Sequence, residues 1–242
     1  MRIKISLELN GVNHKINFQG GFPVLPIYPY MIEQKEGMPY SAATGFAHNL
    51  KRFSSLEPDK IAENSGSVYD PVKGIISLVS LGRDIYVHYP QGKVFFKDSG
   101  LQPVWEWRYL LIHYLGRADN FPLSGELITY RETLYGKVFY LAFYKTCVLP
   151  LVERLAGDDP EKIKKACAAL GAVCENTSDI TAVFSLFPRF PVTVKIWMKD
   201  EELPGSANIL FDSSANHYMH TEDIALAGGL VSEFLMRQFE SY

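Results

Sequence analysis

LFPRFPVTVKIWMKDEELPGSANILFDSSANHYMHTED, residues 186–223, carries the reading that decides the fold class. Residues 191–198 and 207–211 alternate apolar and polar side chains as half-buried strands do. Pro204 and Gly205 lie in the link between them. Thr221 reads as the cap of a last helix, with Glu222 and Asp223 in its first turn and Ile224, Leu226, Leu230, Phe234 and Leu235 on its apolar face.

Upstream, residues 180–186 add a further strand, and Asp159-Pro160 opens a helix through Leu170 that Gly171 closes. Residues 137–155 read as a long apolar helix, and Pro150 inside it predicts a kink or break near Cys147. Residues 125–131 look extended, and 103–115 form a helix with Trp105, Leu110, Leu111 and Tyr114 at helical spacing. Before that comes a small antiparallel meander, 75–81, 84–89 and 93–97, turned at Gly82-Arg83 and Gln91-Gly92. Two helices, 42–56 and 59–64, precede it.

At the start, residues 3–9 and 12–18 alternate around Asn10-Gly11, the signature of a type I′ hairpin. Pro23, Pro26, Pro29 and Pro39 punctuate the arm that follows. Strands and helices are segregated along the chain rather than alternating, so the expected class is α+β with a mainly antiparallel sheet. The organisation expected is a hairpin and proline-rich arm over 1–38 and a single α+β domain over 39–242.

Composition narrows the function classes. The 24 Lys and Arg against 27 Asp and Glu give a net charge of −3 without a basic cluster, which speaks against nucleic-acid binding. Lys137 and Lys145 interrupt the most apolar tract, 134–152, so no membrane span is expected. The opening MRIKISLELN lacks a signal-peptide apolar core, which points to the cytoplasm. Cys147, Cys167 and Cys174 form neither an even framework nor a C-x-x-C pair, which argues against disulfide, zinc or iron–sulfur use within one chain. The familiar G-x-G-x-x-G, Walker, H-E-x-x-H and G-x-S-x-G signatures are absent, and no cofactor is named by any motif.

Several residues are candidates by type and position. Prolines on both sides of Arg189 favour a rigidly presented guanidinium, and with Arg131 and Asp212 it would hold an anionic small molecule or a protein partner. An internal ion pair with Asp200 or Asp212 is the alternative for Arg189, and a turn cap is the alternative for Asp212. His217 and His220, with Asp200 and Glu202, offer nitrogen and oxygen ligands for a metal-assisted hydrolase or transferase. A solvated turn is the alternative for the acidic run, and its place beside Pro204-Gly205 favours that reading. His113 or His217 in an aromatic pocket would suit a tetrapyrrole carrier. The free edge of the N-terminal hairpin offers a route to a homodimer by sheet extension.

Ser65-Gly66-x-x-Tyr69-Asp70, Leu81-Gly82-Arg83, Leu111-Ile112-His113-Tyr114-Leu115, Gly125-Glu126-Leu127-Ile128, Pro188-Arg189-Phe190-Pro191, Ile209-Leu210-Phe211-Asp212 and Thr221-Glu222-Asp223 occur in this order and spacing. In these the chain resembles the domain-of-unknown-function 3786 family of anaerobic bacteria and archaea, from about Pro39 to Phe239. The resemblance implies an association with anaerobic redox or one-carbon metabolism. Some members carry an added cysteine-rich iron–sulfur domain, but this chain has no cysteine cluster, so the resemblance does not bring an iron–sulfur centre with it.

Overall fold

The computed structural model describes residues 4–9, 12–17, 25–34, 39–175 and 177–242. Strand β1 (Lys4–Leu9) pairs antiparallel with β2 (Val12–Asn17), Leu9 opposite Val12. The Asn10-Gly11 turn expected between them lies outside the described residues. Helices α1 (Tyr40–Ser55) and α2 (Pro58–Ser65) follow, the second started by Pro58 and stopped by Gly66 at φ 70°.

β3 (Val68–Asp70), β4 (Ile75–Ser80), β5 (Arg83–His88) and β6 (Lys93–Phe96) form a four-stranded antiparallel meander in sequence order. Leu81 and Gly82 both have positive φ at the β4–β5 turn, the two-residue geometry whose twist suits a hairpin. A side chain on Gly82 would run into Leu25, and the Gly171 backbone packs directly against this turn.

After α3 (Trp105–Arg117) and the short β7 (Leu127–Thr129) come α4 (Gly136–Phe143) and α5 (Leu149–Leu155), joined by a π-helical turn over Tyr144–Val148. This is the break that Pro150 demands: it has no N–H to donate, and its ring crowds the carbonyl one turn back. The Ser232 hydroxyl donates to the Cys147 carbonyl in that turn at 2.7 Å.

α6 (Pro160–Ala169) is capped by Asp159, which accepts from the Glu161 N–H. Then come β8 (Val173–Glu175), β9 (Ile180–Phe187), β10 (Phe190–Trp197), β11 (Ser206–Asp212), α7 (Ala215–Tyr218) and α8 (Thr221–Glu240). The larger sheet runs β7-β11-β10-β9-β8, antiparallel throughout. The fold is therefore α+β. β8 is an edge strand of three residues that the sequence pattern did not reveal.

β9 is buried at every position but Ser185, because α6 and α8 pack on it and β4 of the smaller sheet also meets it. Ser80 ties the two sheets: its hydroxyl donates to the Leu186 carbonyl and accepts the Trp107 indole N–H at 2.8 Å. The proline-rich arm packs into the same core. Met31 is fully buried, and its carbonyl accepts the Val104 N–H at 2.9 Å.

The start of α8 corrects one expectation. His220, with extended backbone, occupies the N-cap position, and Thr221 is the first helical residue. Thr221 is diverted from capping because its hydroxyl donates to the Leu134 carbonyl instead.

Candidate functional site

A polar pocket of about 380 Å3 opens where α1, α3 and the first turn of α8 converge. Tyr109, His113 and Arg117 recur every four residues, so they form one stripe along α3. Asn49 and Arg52 face them from α1, and His220, Glu222 and Asp223 close the pocket from α8.

His113 sits at the floor, 4% exposed. Its Nδ1 is 3.0 Å from Asp223 Oδ2, and its Nε2 is 2.6 Å from the Asn49 amide nitrogen. The tautomer with the proton on Nδ1 satisfies both contacts, donating to the carboxylate and accepting from the amide. The Tyr109 ring covers the imidazole at 3.9 Å between centroids. Both ring nitrogens are engaged within the protein, so an axial-ligand role would require His113 to give up Asn49.

The upper wall is cationic. Arg52 Nε donates to the Gly116 carbonyl at 2.7 Å. Arg117 faces the His220 Nε2 at 3.1 Å and donates to the Asn216 carbonyl at 3.3 Å, while its own Nε is buried without a partner. Burial, followed by the nearby Arg52 guanidinium, pushes Arg117 below its ordinary range. Burial and then Arg117 likewise push His220 down. Among the described residues no carboxylate forms an ion pair with either arginine.

The family model described as Domain of unknown function (DUF3786) matches residues 57–234, more than half of the chain. The chain belongs to that family. No curated protein and no solved structure matches this DUF3786 member.

The residues singled out by sequence are distributed over several places in this DUF3786 fold. Asp212 is buried and accepts five hydrogen bonds, from the N–H and hydroxyl of Ser124, the N–H of Gly125, and the N–H and hydroxyl of Ser214. Burial pushes its carboxyl up, but the Ser214, Ser124 and Gly125 donors outweigh that and hold it below its ordinary value. Arg189 donates its backbone N–H to the Tyr114 hydroxyl at 3.0 Å and extends its guanidinium to the Glu63 carbonyl at 3.5 Å. Arg131 is exposed and leans over the Tyr140 ring at 5.8 Å. No hydrogen bond or ion pair joins these three among the described residues.

Asp200 caps its own turn, accepting from the N–H groups of Glu202 and Leu203, and Glu202 is exposed. This turn precedes β11 and the histidines follow it, so the two sets are separated by a strand about 20 Å long. His217 stacks on Phe121 at 3.7 Å and pairs with Asp119 at 2.8 Å. His220 alone of this set lines the polar pocket. Among the described residues no three of His, Cys, Asp and Glu are grouped to hold a metal ion, and no helix is long and apolar enough to cross a membrane.

Proposed function

We propose that this protein binds a small molecule through an anionic head, a carboxylate or phosphate, held by Arg52 and Arg117 in the pocket above His113. The observation that carries this reading is the buried Arg117 Nε, which lacks an acceptor beside a second guanidinium, with neither arginine in an ion pair among the described residues although Glu222 and Asp223 line the same pocket. Placing like charges together is unfavourable unless an anion comes between them, and a guanidinium fork matches two oxygens of such an anion. His220, at the N-terminus of the 20-residue α8, adds a group that becomes a donor at Nε2 on protonation, and the helix end adds a partial positive charge. The role in this reading is that of a binding or accessory module, with His113 held by Asp223 and Asn49 as part of the pocket floor.

Calorimetric titration with inorganic phosphate and with sulfate tests this. Wild-type protein should bind one equivalent, and Arg117→Met and Arg52→Met should each weaken binding at least about tenfold, the worth of one charge-assisted hydrogen bond. Unchanged affinity in folded Arg52→Met/Arg117→Met protein would sink the proposal. Arg131→Met/Arg189→Met protein is the companion variant: a loss of affinity there moves the anion site to those residues.

A further inference from the structure

A ridge and a groove lie on the side of α8's first turns away from Arg52 and Arg117, and share only Glu222 with the anion pocket. On α4, Val138 is 74% and Leu141 64% exposed, and Tyr135, just before the helix, is 72% exposed. Beside this ridge runs a groove of about 860 Å3 between α4, the π-helical turn and α8, lined by Trp105, Phe139, Phe143, Ala225 and Leu226 among others. Exposed apolar side chains beside an apolar-lined groove suit a contact face.

The charges on this face are complementary to one another. Residues 135–152 contain no carboxylate, and their only charges are Lys137 and Lys145, both exposed. The lysines are eight residues, about 12 Å, apart along the helix. The groove is edged by Glu106, Glu222, Glu233 and Glu240. Arg237 and Arg154 neutralise the last two, whereas Glu106, Glu222, Lys137 and Lys145 take part in no ion pair among the described residues. Burial pushes the Glu106 carboxyl up, and the nearby Glu233 and Glu33 add to that, so a cation brought beside it would be favoured.

One surface thus presents an apolar ridge with two unpaired cations and an apolar groove with two unpaired anions. Such a patch is complementary to itself under a two-fold rotation, the commonest symmetry of soluble oligomers. We propose that a second copy of this chain covers this face, with α4 of each copy lying in the other's groove and Lys137 and Lys145 set against the partner's Glu106 and Glu222. The contact meets the anion pocket only at Glu222 and does not involve the N-terminal hairpin.

Light scattering on the full chain at micromolar concentration is the test. Wild-type protein should give twice the monomer mass, and Val138→Glu/Leu141→Glu should give the monomer with an unchanged far-ultraviolet circular dichroism spectrum, since both side chains are already exposed. Lys137→Glu/Lys145→Glu should weaken dimerisation at least about tenfold. A wild-type monomer overturns the proposal, including one that instead binds lipid vesicles or a different protein through this face. So does a dimer that survives Val138→Glu/Leu141→Glu, and a dimer lost only when residues 1–20 are removed assigns the contact to the hairpin.

Discussion

Asp223, in the first turn of α8, contacts Nδ1 of His113 from α3 at 3.0 Å, both side chains almost wholly buried. The pair joins two helices across the floor of the pocket. Removing one member of a buried hydrogen-bonded pair strands the other away from water, so Asp223→Ala should cost about 3 kcal/mol of stability. Asp223→Asn keeps an acceptor and should cost about half of that. Urea unfolding midpoints measure both; equal and small losses would mean that water replaces the carboxylate.

Sulfate binding should depend on pH through His220. Burial and Arg117 keep its folded-state pKa below the ordinary histidine value, so without ligand the unfolded chain takes up the proton first. Stability from this group is therefore present above about pH 6.5 and is lost as pH falls through and below that value. A bound anion favours the protonated ring and reverses the preference. Sulfate keeps its charge throughout, so its affinity should rise about threefold or more between roughly pH 7.5 and pH 5.5. His220→Asn should flatten that slope; a slope that persists assigns the proton to another group.

The class of fold was legible because each local signal agreed with the next. The alternation before and after Pro204-Gly205 gave β10 and β11, and Pro150 gave the break that appears as a π-helical turn. β8 escaped because three residues at a sheet edge, Val173 to Glu175, carry no alternating pattern. The pocket was largely illegible. Asn49 and His113 are 64 residues apart, and His113 and Asp223 are 110 apart, so only packing brings them together. The one local trace is the Tyr109-His113-Arg117 spacing, which places a cation on the same stripe as a buried histidine. Asp212 drew attention by its polar neighbours, and those neighbours, Ser214 among them, are the donors that hold it as a turn cap.

Arg83 should prove to be a structural cation. It is 3% exposed, donates to the carbonyls of Pro26, Leu81 and Ala169, and lies over the Tyr28 ring at 5.6 Å. Burial pushes it down to about 10, yet three carbonyls satisfy its donors. Arg83→Met leaves those carbonyls without a donor and should cost about 2–3 kcal/mol. Because one of them belongs to the arm, limited proteolysis should cut near Pro26 first; an unchanged digestion pattern would separate the arm's order from Arg83.

Tyr135 occupies the left-handed region at φ 62°, where a side chain costs about 1–2 kcal/mol. The following residue has to be Gly136, since a Cβ there would overlap the Tyr130 carbonyl oxygen. Tyr135→Gly should raise the stability of dilute protein by about 0.5–1 kcal/mol, the relief of strain less the added freedom of the unfolded chain. If α4 lies in a second copy's groove, the same change should loosen the dimer. A gain in stability with an unchanged dimer would leave Tyr135 outside the contact.

Cys174 should be the reactive thiol of this protein. It is exposed, whereas Cys147 and Cys167 are buried. The nearby Cys167 thiol favours its thiolate, burial opposes that, and Lys164 supports it, bringing its pKa down to about 7. Iodoacetamide should therefore modify one thiol of the native protein, at a rate that rises through neutral pH and levels above about pH 8, because the thiolate is the nucleophile. Cys167→Ala removes the thiol donor and should move the rate profile upward towards the ordinary cysteine value of about 8.5. Mass mapping identifies the alkylated residue. Modification of Cys147 or Cys167 at the same rate would show that the native helices open on the timescale of the reaction.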